Sequence, residues 1–185
     1  MQEMLVEQQD WFYYVTLMNE NYAQPDLPAG ASEGVIKGCY RFASYGEGQK
    51  RVTLMGSGAI LTEVIKAAQQ LASEGIASEV FSVTSWSELT REGRACEQRV
   101  LDAGAAAPVE VPFVARQLAS SAGPIIAASD YVRAVPESIR AFVPAGRRYL
   151  TLGTDGFGRS DTRAALRDFF GVDAAHIVRT AVRAL

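Results

Sequence analysis

The chain is poor in the residue types that most often carry chemistry. Among its 185 residues there is one histidine, His176, and there are two cysteines, Cys39 and Cys96. A single histidine cannot form a histidine cluster for a metal, and the chain has no Gly-x-Ser-x-Gly sequence to supply the nucleophile of a hydrolase triad. We therefore interpret His176 as an ordinary surface histidine. Because the two cysteines are far apart in sequence, we expect buried, reduced thiols rather than a disulfide.

Long apolar segments and an excess of basic residues are also missing. No apolar run reaches the roughly 18 residues that a membrane helix needs, and the N-terminus lacks the basic start of a signal peptide. The formal net charge is −3, whereas a nucleic-acid-binding protein needs a basic surface. We therefore expect a cytoplasmic protein that binds neither a membrane nor a nucleic acid.

What the sequence does contain is a regular alternation of strand-like and helix-like segments. Helices between buried strands predict an α/β fold in three layers, with a mostly parallel, mixed sheet and helices on both faces. We expect the first two strands to pair as an antiparallel hairpin at one edge. The predicted strands are 38–42, 51–55, 80–84, 124–128 and 147–152. Four side chains are expected to cap the helices that follow them, those of Ser57, Ser85, Ser160 and Asp173.

An aromatic segment near the N-terminus does not fit this alternation. The first eight residues have a helical pattern, and residues 11–18 form an apolar, β-prone run that is typical of a strand inside a covered sheet. A polar, proline-bearing stretch follows. We interpret residues 1–24 as the tail of a preceding domain, 25–37 as a linker and 38–185 as the main domain. The alternative is that the aromatic strand joins the sheet of the main domain.

A first glycine-rich stretch, Gly56, Ser57 and Gly58, lies where a predicted strand passes into a helix. Backbone amides at a helix N-terminus favour anions, so this triplet is a candidate anion site. The downstream glycine of a dinucleotide fingerprint and the lysine of a phosphate-binding loop are both missing. A tight turn is therefore the favoured interpretation, because turns are the usual reason for a glycine pair.

A second glycine-rich stretch lies between the last predicted strand and the helix after it, and its aromatic residue is flanked by glycines. In open α/β sheets, ligands bind at the carboxyl ends of the strands, so this stretch is either a ligand loop or a rigid docking corner. We favour structural uses for its two acids, one as a cap of the turn and the other at the first position of the helix. The residues of this docking corner are Asp155, Gly156, Phe157, Gly158, Ser160 and Asp161.

Three longer stretches of the sequence are distinctive, 12–22, 33–40 and 152–161, and three shorter ones accompany them, 54–61, 80–89 and 128–131. Together they resemble the C-terminal part of one enzyme family, the homodimeric bacterial pyruvate dehydrogenases. These enzymes are the thiamine-diphosphate-dependent decarboxylating component of the pyruvate dehydrogenase complex. The resemblance implies a transketolase-like C-terminal domain.

The resemblance implies that this chain contributes no catalytic, cofactor-binding or metal-binding residue. Thiamine diphosphate and Mg²⁺ would be held by other domains of the full-length enzyme, because the Gly-Asp-Gly…Asn motif of the family is missing here. The implied activity of the whole enzyme, an oxidoreductase that acts after glycolysis, is decarboxylation of pyruvate and transfer of the acetyl group to lipoamide.

The implied partners are the rest of a pyruvate dehydrogenase chain, its dimer mate and the lipoyl acyltransferase component of the complex. The chain itself would support packing and dimer contacts and would be inactive alone. The alternative is a free-standing, non-enzymatic interaction or regulatory module that has the same fold.

Overall fold

The computed structural model of the chain describes residues 1–15, 21–103 and 110–185. Its central element is a five-stranded sheet with the strand order β1-β3-β2-β4-β5. Strands β2 to β5 are parallel to one another, and β1 is antiparallel to its neighbour β3. The predicted mixed, mostly parallel sheet is confirmed. The strands are β1 (Cys39–Tyr45), β2 (Arg51–Ser57), β3 (Ala77–Val83), β4 (Ile125–Ala128) and β5 (Tyr149–Leu152).

Helices cover both faces of this sheet. The helices of the described residues are α1 (Gln2–Leu5), α2 (Ser32–Lys37), α3 (Ile60–Ser73), α4 (Trp86–Ala103), α5 (Phe113–Leu118), α6 (Ala134–Glu137), α7 (Arg163–Phe170) and α8 (Ala174–Ala184), with a 3₁₀ turn at Arg140–Phe142, and α1 lies outside the two core clusters. The core has one hydrophobic cluster on each face. Because side chains alternate along a strand, Leu54 of β2 packs in the cluster with α3 and α8, and Met55 packs in the cluster with α4 and α5.

The predicted hairpin between the first two strands is wrong. Strand β3 lies between β1 and β2, so the two strands run antiparallel but do not pair. Strand β2 is buried along nearly its whole length and takes the centre of the sheet. The connection from β1 to β2 crosses the turn between α3 and β3, where a Cβ on Gly48 would lie 2.2 Å from the carbonyl oxygen of Gly75. Because glycine has no Cβ, the connection can pass close to this turn and lead from β1 past β3 to β2.

Two of the predicted helix caps are confirmed. The Ser85 hydroxyl accepts a hydrogen bond from the backbone N–H of Glu88 at 3.1 Å, at the start of α4. The Asp173 carboxylate accepts one from the backbone N–H of His176 at 2.9 Å, at the start of α8. Each cap satisfies a first-turn amide that has no partner inside its helix.

The other two predicted caps are wrong. Ser57 is the last residue of β2, and α3 begins after Ala59 without a side-chain cap. The cap of α7 is Thr162, whose hydroxyl accepts from the backbone N–H of Ala165, and Ser160 lies before the helix in exposed chain. The observed N-cap positions, Ala59 and Thr162, each lie two residues after the predicted ones. Helix boundaries predicted from local sequence are commonly uncertain by this amount.

The two cysteines are free and buried, as predicted. Cys39 lies in the cluster with α4 and α5, and desolvation raises the pKa of its thiol to about 12. Cys96 lies on α4, where burial and the nearby Glu92 carboxylate raise its pKa to about 11. Neither thiol is therefore activated as a nucleophile at neutral pH.

The aromatic segment near the N-terminus forms no strand within the described residues. Residues 11–15 are irregular and exposed, with 85% of Phe12 accessible to solvent. The prediction placed this strand in the sheet of a preceding domain, and no strand among the described residues pairs with residues 11–15. Residues 16–18 of that prediction lie outside the described residues. The helix before it, α1, is shorter than the eight residues predicted.

Candidate functional site

The candidate site is a crevice at the carboxyl edge of the sheet, where neighbouring strands lead to opposite faces. Strand β2 continues into α3, which packs on one face, and strand β4 continues into α6, whose Val135 packs on the other. Divergent connections of this kind open a crevice outside the strand ends. At its base the hydroxyl of Ser57, the last residue of β2, donates to the hydroxyl of Ser129 at 2.9 Å. Both serines are buried.

The crevice has a volume of about 730 Å³. The ends of β2 and β3 and the residues that follow β4 form its floor, and residues 22–25 border it from the polar stretch that precedes the domain. Two long helices, α3 and α4, begin at its rim. The starts of both helices carry the positive end of the helix dipole. At the start of α3 the backbone amides of Leu61 and Thr62 donate to the carbonyls of Gly58 and Ala59. The residues of the crevice wall include Gly58, Ala59, Ser85, Trp86, Asp130 and Tyr131.

One polar group in this wall is left unpaired. Trp86 is 4% exposed, and its indole N–H has no hydrogen-bond partner among the described residues. A buried donor without an acceptor costs about 1–3 kcal/mol. Because the indole nitrogen is itself buried, this unsatisfied donor lies within the wall and is not exposed to the crevice.

The glycine triplet predicted as a turn or an anion site borders this crevice. A Cβ on Gly56 would lie 2.8 Å from Cγ2 of Val64 and 3.1 Å from Cα of Leu61, so Gly56 allows α3 to pack closely on β2. Gly58 has a φ of 53°, and the nearest atom to its virtual Cβ is a carboxylate oxygen of Asp130, 3.8 Å away. Gly58 thus serves the turn and Gly56 the packing of α3 on β2, and the anion site remains a prediction.

The stem of the predicted docking corner is fixed to the connection that follows β4. The backbone N–H of Thr154 donates to the carbonyl of Tyr131 at 2.9 Å, and its hydroxyl donates to the carbonyl of Asp130 at 2.7 Å. The Asp155 carboxylate accepts from the backbone N–H of Arg133 at 2.8 Å and from its Nε at 2.6 Å. These hydrogen bonds from Arg133 lower the pKa of Asp155. Asp155 therefore joins two connections instead of capping its own turn, which corrects the prediction.

The tip of the docking corner points away from the domain. Phe157 is 95% exposed, and both Gly156 and Gly158 have open space around their Cα atoms. Gly156 has a φ of 98°, which favours glycine. Beyond the tip, the guanidinium of Arg159 lies 3.9 Å from the ring centre of the half-exposed Phe169. The docking corner thus carries an exposed phenylalanine and an arginine, two residue types that are enriched at protein–protein interfaces.

The end of the docking corner differs from the prediction. Asp161 was expected at the first position of α7, but it precedes the capping residue Thr162. Its carboxylate accepts from the backbone N–H of Thr162 at 2.7 Å. Asp161 thus orders the approach to the helix and is exposed, like Ser160 before it.

A cluster that the sequence did not reveal joins residue 22 to three helices. The hydroxyl of Tyr22 accepts from Nη1 of Arg163 at 2.7 Å and from Nη2 of Arg167 at 3.3 Å. Arg167 also donates to the buried carboxylate of Glu63 at 3.0 Å, and Glu63 accepts from the backbone N–H of Ala174 at 3.2 Å. The one sign of this cluster in the sequence was Glu63, an acidic residue within the apolar stripe of α3.

The histidine takes part in one group of three side chains that could hold a metal ion, found among the described residues. His176, Asp173 and Asp168 place their ligand atoms within 4.8 Å of one another. The Nδ1 atom of His176 lies 2.6 Å from Oδ1 of Asp173, the same atom that caps α8. Asp168 is mostly exposed. This geometry is explained by the helix cap.

In the described part of the chain, no helix is long and apolar enough to cross a membrane.

Comparison with known proteins agrees with this architecture. Residues 38–173 match the model of the transketolase-like TK C-terminal domain, and the chain belongs to this family. Solved structures show the same fold. A transketolase from Leishmania mexicana aligns with a TM-score of 0.52 at 21% identity, over 85% of this chain and 19% of that one. A split-gene transketolase, described as an inactive β4 tetramer, aligns with a TM-score of 0.51 at 20% identity, over 77% and 42%.

The sequence is more closely similar to pyruvate dehydrogenase E1 components. It is 47% identical to that of Cupriavidus necator over 191 residues, which cover 100% of this chain and 21% of the relative. It is 46% identical to that of Pseudomonas aeruginosa over 188 residues, covering 99% and 21%. It is 42% identical to that of Escherichia coli K12 over 177 residues, covering 95% and 20%. The chain thus spans about a fifth of these relatives, their C-terminal part, and the resemblance found in the sequence is confirmed.

Two places in the described residues were candidates for the magnesium diphosphate of a thiamine-dependent enzyme, and neither fits it. Mg²⁺ that carries a diphosphate needs several free oxygen ligands in octahedral geometry. In the group around His176, one Asp173 oxygen is already engaged by the helix cap. At the crevice, the lining contains one carboxylate, that of Asp130. Neither place in the described ranges offers a magnesium diphosphate site.

Proposed function

We propose that this chain forms the C-terminal domain of a pyruvate dehydrogenase E1 component. The whole enzyme would decarboxylate pyruvate on thiamine diphosphate with Mg²⁺ and transfer the acetyl group to lipoamide in the cytoplasm. The observation that carries the proposal is the identity of 42–48% to proteins of that name along nearly the whole chain. Within this proposal, residues 1–24 are the tail of a preceding domain, 25–37 are a linker and 38–185 are the C-terminal domain.

The role of the domain in that enzyme is structural. Neither the group around His176 nor the crevice fits magnesium diphosphate, and the two thiols are not activated. What it does offer is exposed aromatic surface, on the segment before the domain and at the docking corner. Exposed apolar surface of this kind marks contact with another protein surface. The partners would be the rest of the E1 chain, its dimer mate and the lipoyl acyltransferase of the complex.

The docking corner, from Asp155 to Asp161, is the contact that this role depends on most. Its stem is held by the two hydrogen bonds from Arg133 to Asp155, so the stem loses little conformational freedom when the corner binds a partner. Its tip presents Phe157, which packs against nothing in its own domain. We place this ring against a neighbouring domain or subunit of the assembled enzyme.

The experiment that tests the proposal for the chain alone is a turnover measurement. Purified chain 1–185 is mixed with pyruvate, thiamine diphosphate and Mg²⁺, and decarboxylation is followed against a full-length E1 relative. We expect the relative to be active and the chain to match a sample without protein. Decarboxylation that rises with the concentration of the chain would show that it carries a complete active site, contrary to the proposal.

The free-standing regulatory module remains the alternative function, and assembly distinguishes the two. A C-terminal domain of E1 should associate with an E1 relative that lacks its own last fifth. An independent module should not, since nothing would have preserved the complementary surface. Co-purification of the two proteins, one of them tagged, is the direct measurement, and the intact relative is the control because its docking surface is already occupied.

A further inference from the structure

Residues 22–25, which we call the strap, border the crevice and span the predicted boundary between the N-terminal tail and the linker. We propose that Tyr22 is a latch, a single side chain that fastens the strap to the domain and keeps it against the crevice. The proposal concerns the chain by itself and does not depend on the pyruvate dehydrogenase assignment. In a full-length E1 component, the same latch would fix the direction in which the chain enters the domain.

Both the hydroxyl and the ring of Tyr22 contact the guanidinium groups of α7. The hydroxyl accepts hydrogen bonds from Nη1 of Arg163 at 2.7 Å and from Nη2 of Arg167 at 3.3 Å. The guanidinium carbons of the same two arginines lie 5.6 and 5.9 Å from the centre of the Tyr22 ring, within the range of cation–π attraction. Because hydrogen bonds from charged donors are stronger than neutral ones, this half-buried side chain is firmly held.

The domain orders its side of the latch without help from the strap. Nη1 of Arg167 donates to Oε1 of Glu63 at 3.0 Å, and the two side chains are 18% and 8% exposed. Glu63 also accepts from the backbone N–H of Ala174 at 3.2 Å and from Nζ of Lys66 at 2.9 Å. Since the guanidinium that receives Tyr22 is already fixed, docking of the strap costs little conformational entropy on the domain side.

Tyr22 is the main attachment of the strap in the described part of the chain. Among the described residues, no backbone hydrogen bond joins residues 22–27 to the domain. Ala23 and Gln24 are exposed, and Pro25 is half-buried. Loss of the Tyr22 contacts should therefore release the strap, whereas the core of the domain should stay intact, because Tyr22 belongs to neither hydrophobic cluster.

Proteolysis of the strap measures how often the latch is open. Elastase cleaves after small residues such as Ala23, and at low protease concentration the rate of this cut follows the fraction of molecules with a released strap. Chain 1–185 is compared with its Tyr22→Phe variant, which keeps the ring and removes the acceptor. The fragment that begins at Gln24, identified by its mass, should appear at least about tenfold faster in the variant, the factor expected for a lost hydrogen bond from a charged group.

Two controls separate the latch from effects on the protease. Tyr14→Phe makes the same change at a residue that is 88% exposed, and it should leave the cut after Ala23 unchanged. A free peptide of residues 21–30, with Tyr22 or with Phe at that position, gives the intrinsic rates by which the measured rates are divided. A parent chain cut as fast as its peptide, or equal normalised rates for the parent and Tyr22→Phe, would overturn the proposal.

A second variant tests the other side of the latch. Arg167→Lys keeps a positive charge beside Glu63, but a single ammonium cannot contact Glu63 and Tyr22 as the two arms of the guanidinium do. It should also speed the cut, and urea unfolding checks that the domain remains folded. Because both changes remove one contact, the double variant should be accelerated by less than the product of the two single effects. A full product would show that Tyr22 and Arg167 act independently and would overturn the latch.

Discussion

Replacement of Phe157 by alanine should affect the assembled enzyme far more than the chain alone. The ring is 95% exposed, so its removal takes almost no contact from the domain. In chain 1–185 the free energy of unfolding should change by less than about 0.5 kcal/mol, as is usual for surface substitutions. If the ring is buried in the full-length protein, the loss there should be about 1.5–3 kcal/mol, the value for burying one such side chain.

Two assays measure these quantities on the same pair of proteins. Urea unfolding followed by circular dichroism gives the free energy of unfolding of chain 1–185 with and without Phe157→Ala. Sedimentation of the full-length enzyme gives the dissociation constant of its dimer, which should rise about tenfold to a hundredfold if the ring lies in that contact. A thermal unfolding scan of the full-length enzyme detects a contact between domains of one chain.

The control variant is Phe142→Leu, which alters a buried ring in the core. It should destabilise the chain and the full-length enzyme by similar amounts, because its contacts are all within the domain. Equal small effects of Phe157→Ala on both proteins would refute the reasoning. The docking corner would then be a turn that happens to expose an aromatic residue.

Two further predictions concern the stability of the domain. Gly93→Ala should cost about 1–3 kcal/mol in urea unfolding, because its Cβ would lie 2.5–2.8 Å from a buried aromatic ring, whereas Gly158→Ala, with open space around it, should be neutral; a neutral Gly93→Ala would disprove the close packing. Hydrogen bonds from Arg140 lower the pKa of Glu137, so its contribution to stability is present above the unfolded pKa and is lost as pH falls through the folded one. Glu137→Gln should therefore flatten the acid side of the stability profile measured by thermal unfolding, and an unchanged profile would contradict this.

The order of helices and strands could be predicted because it depends on local patterns. The apolar stripe of α3 and the caps at Ser85 and Asp173 are encoded within a few residues, and these predictions are confirmed. The pairing of β1 was not predictable in the same way. It depends on the connection from β1 to β2, in which Gly48 passes close to the backbone of Gly75 in the turn between α3 and β3. A contact between such distant residues leaves no pattern in the local sequence.

The candidate site shows the same division between local and distant information. The sequence identified both glycine-rich turns and placed them at strand ends. It could not show that Asp155 pairs with Arg133, 22 residues away, or that Trp86 shares a crevice with Gly58 and Asp130. The first relation follows from β5 lying beside β4, and the second from β2 lying between β3 and β4. Glu63 was missed because a single acid in an apolar stripe has no partner visible in the sequence.

The most direct measurement is the activity of a chimera. The last fifth of the Cupriavidus necator relative is replaced by chain 1–185, and pyruvate decarboxylation is measured with thiamine diphosphate and Mg²⁺. The same relative without its last fifth is the control. We predict that the chimera is dimeric and active, and that the truncated protein is inactive. A folded, dimeric chimera with no more activity than the truncated protein would contradict the assignment of this chain to the C-terminal domain of a pyruvate dehydrogenase E1 component.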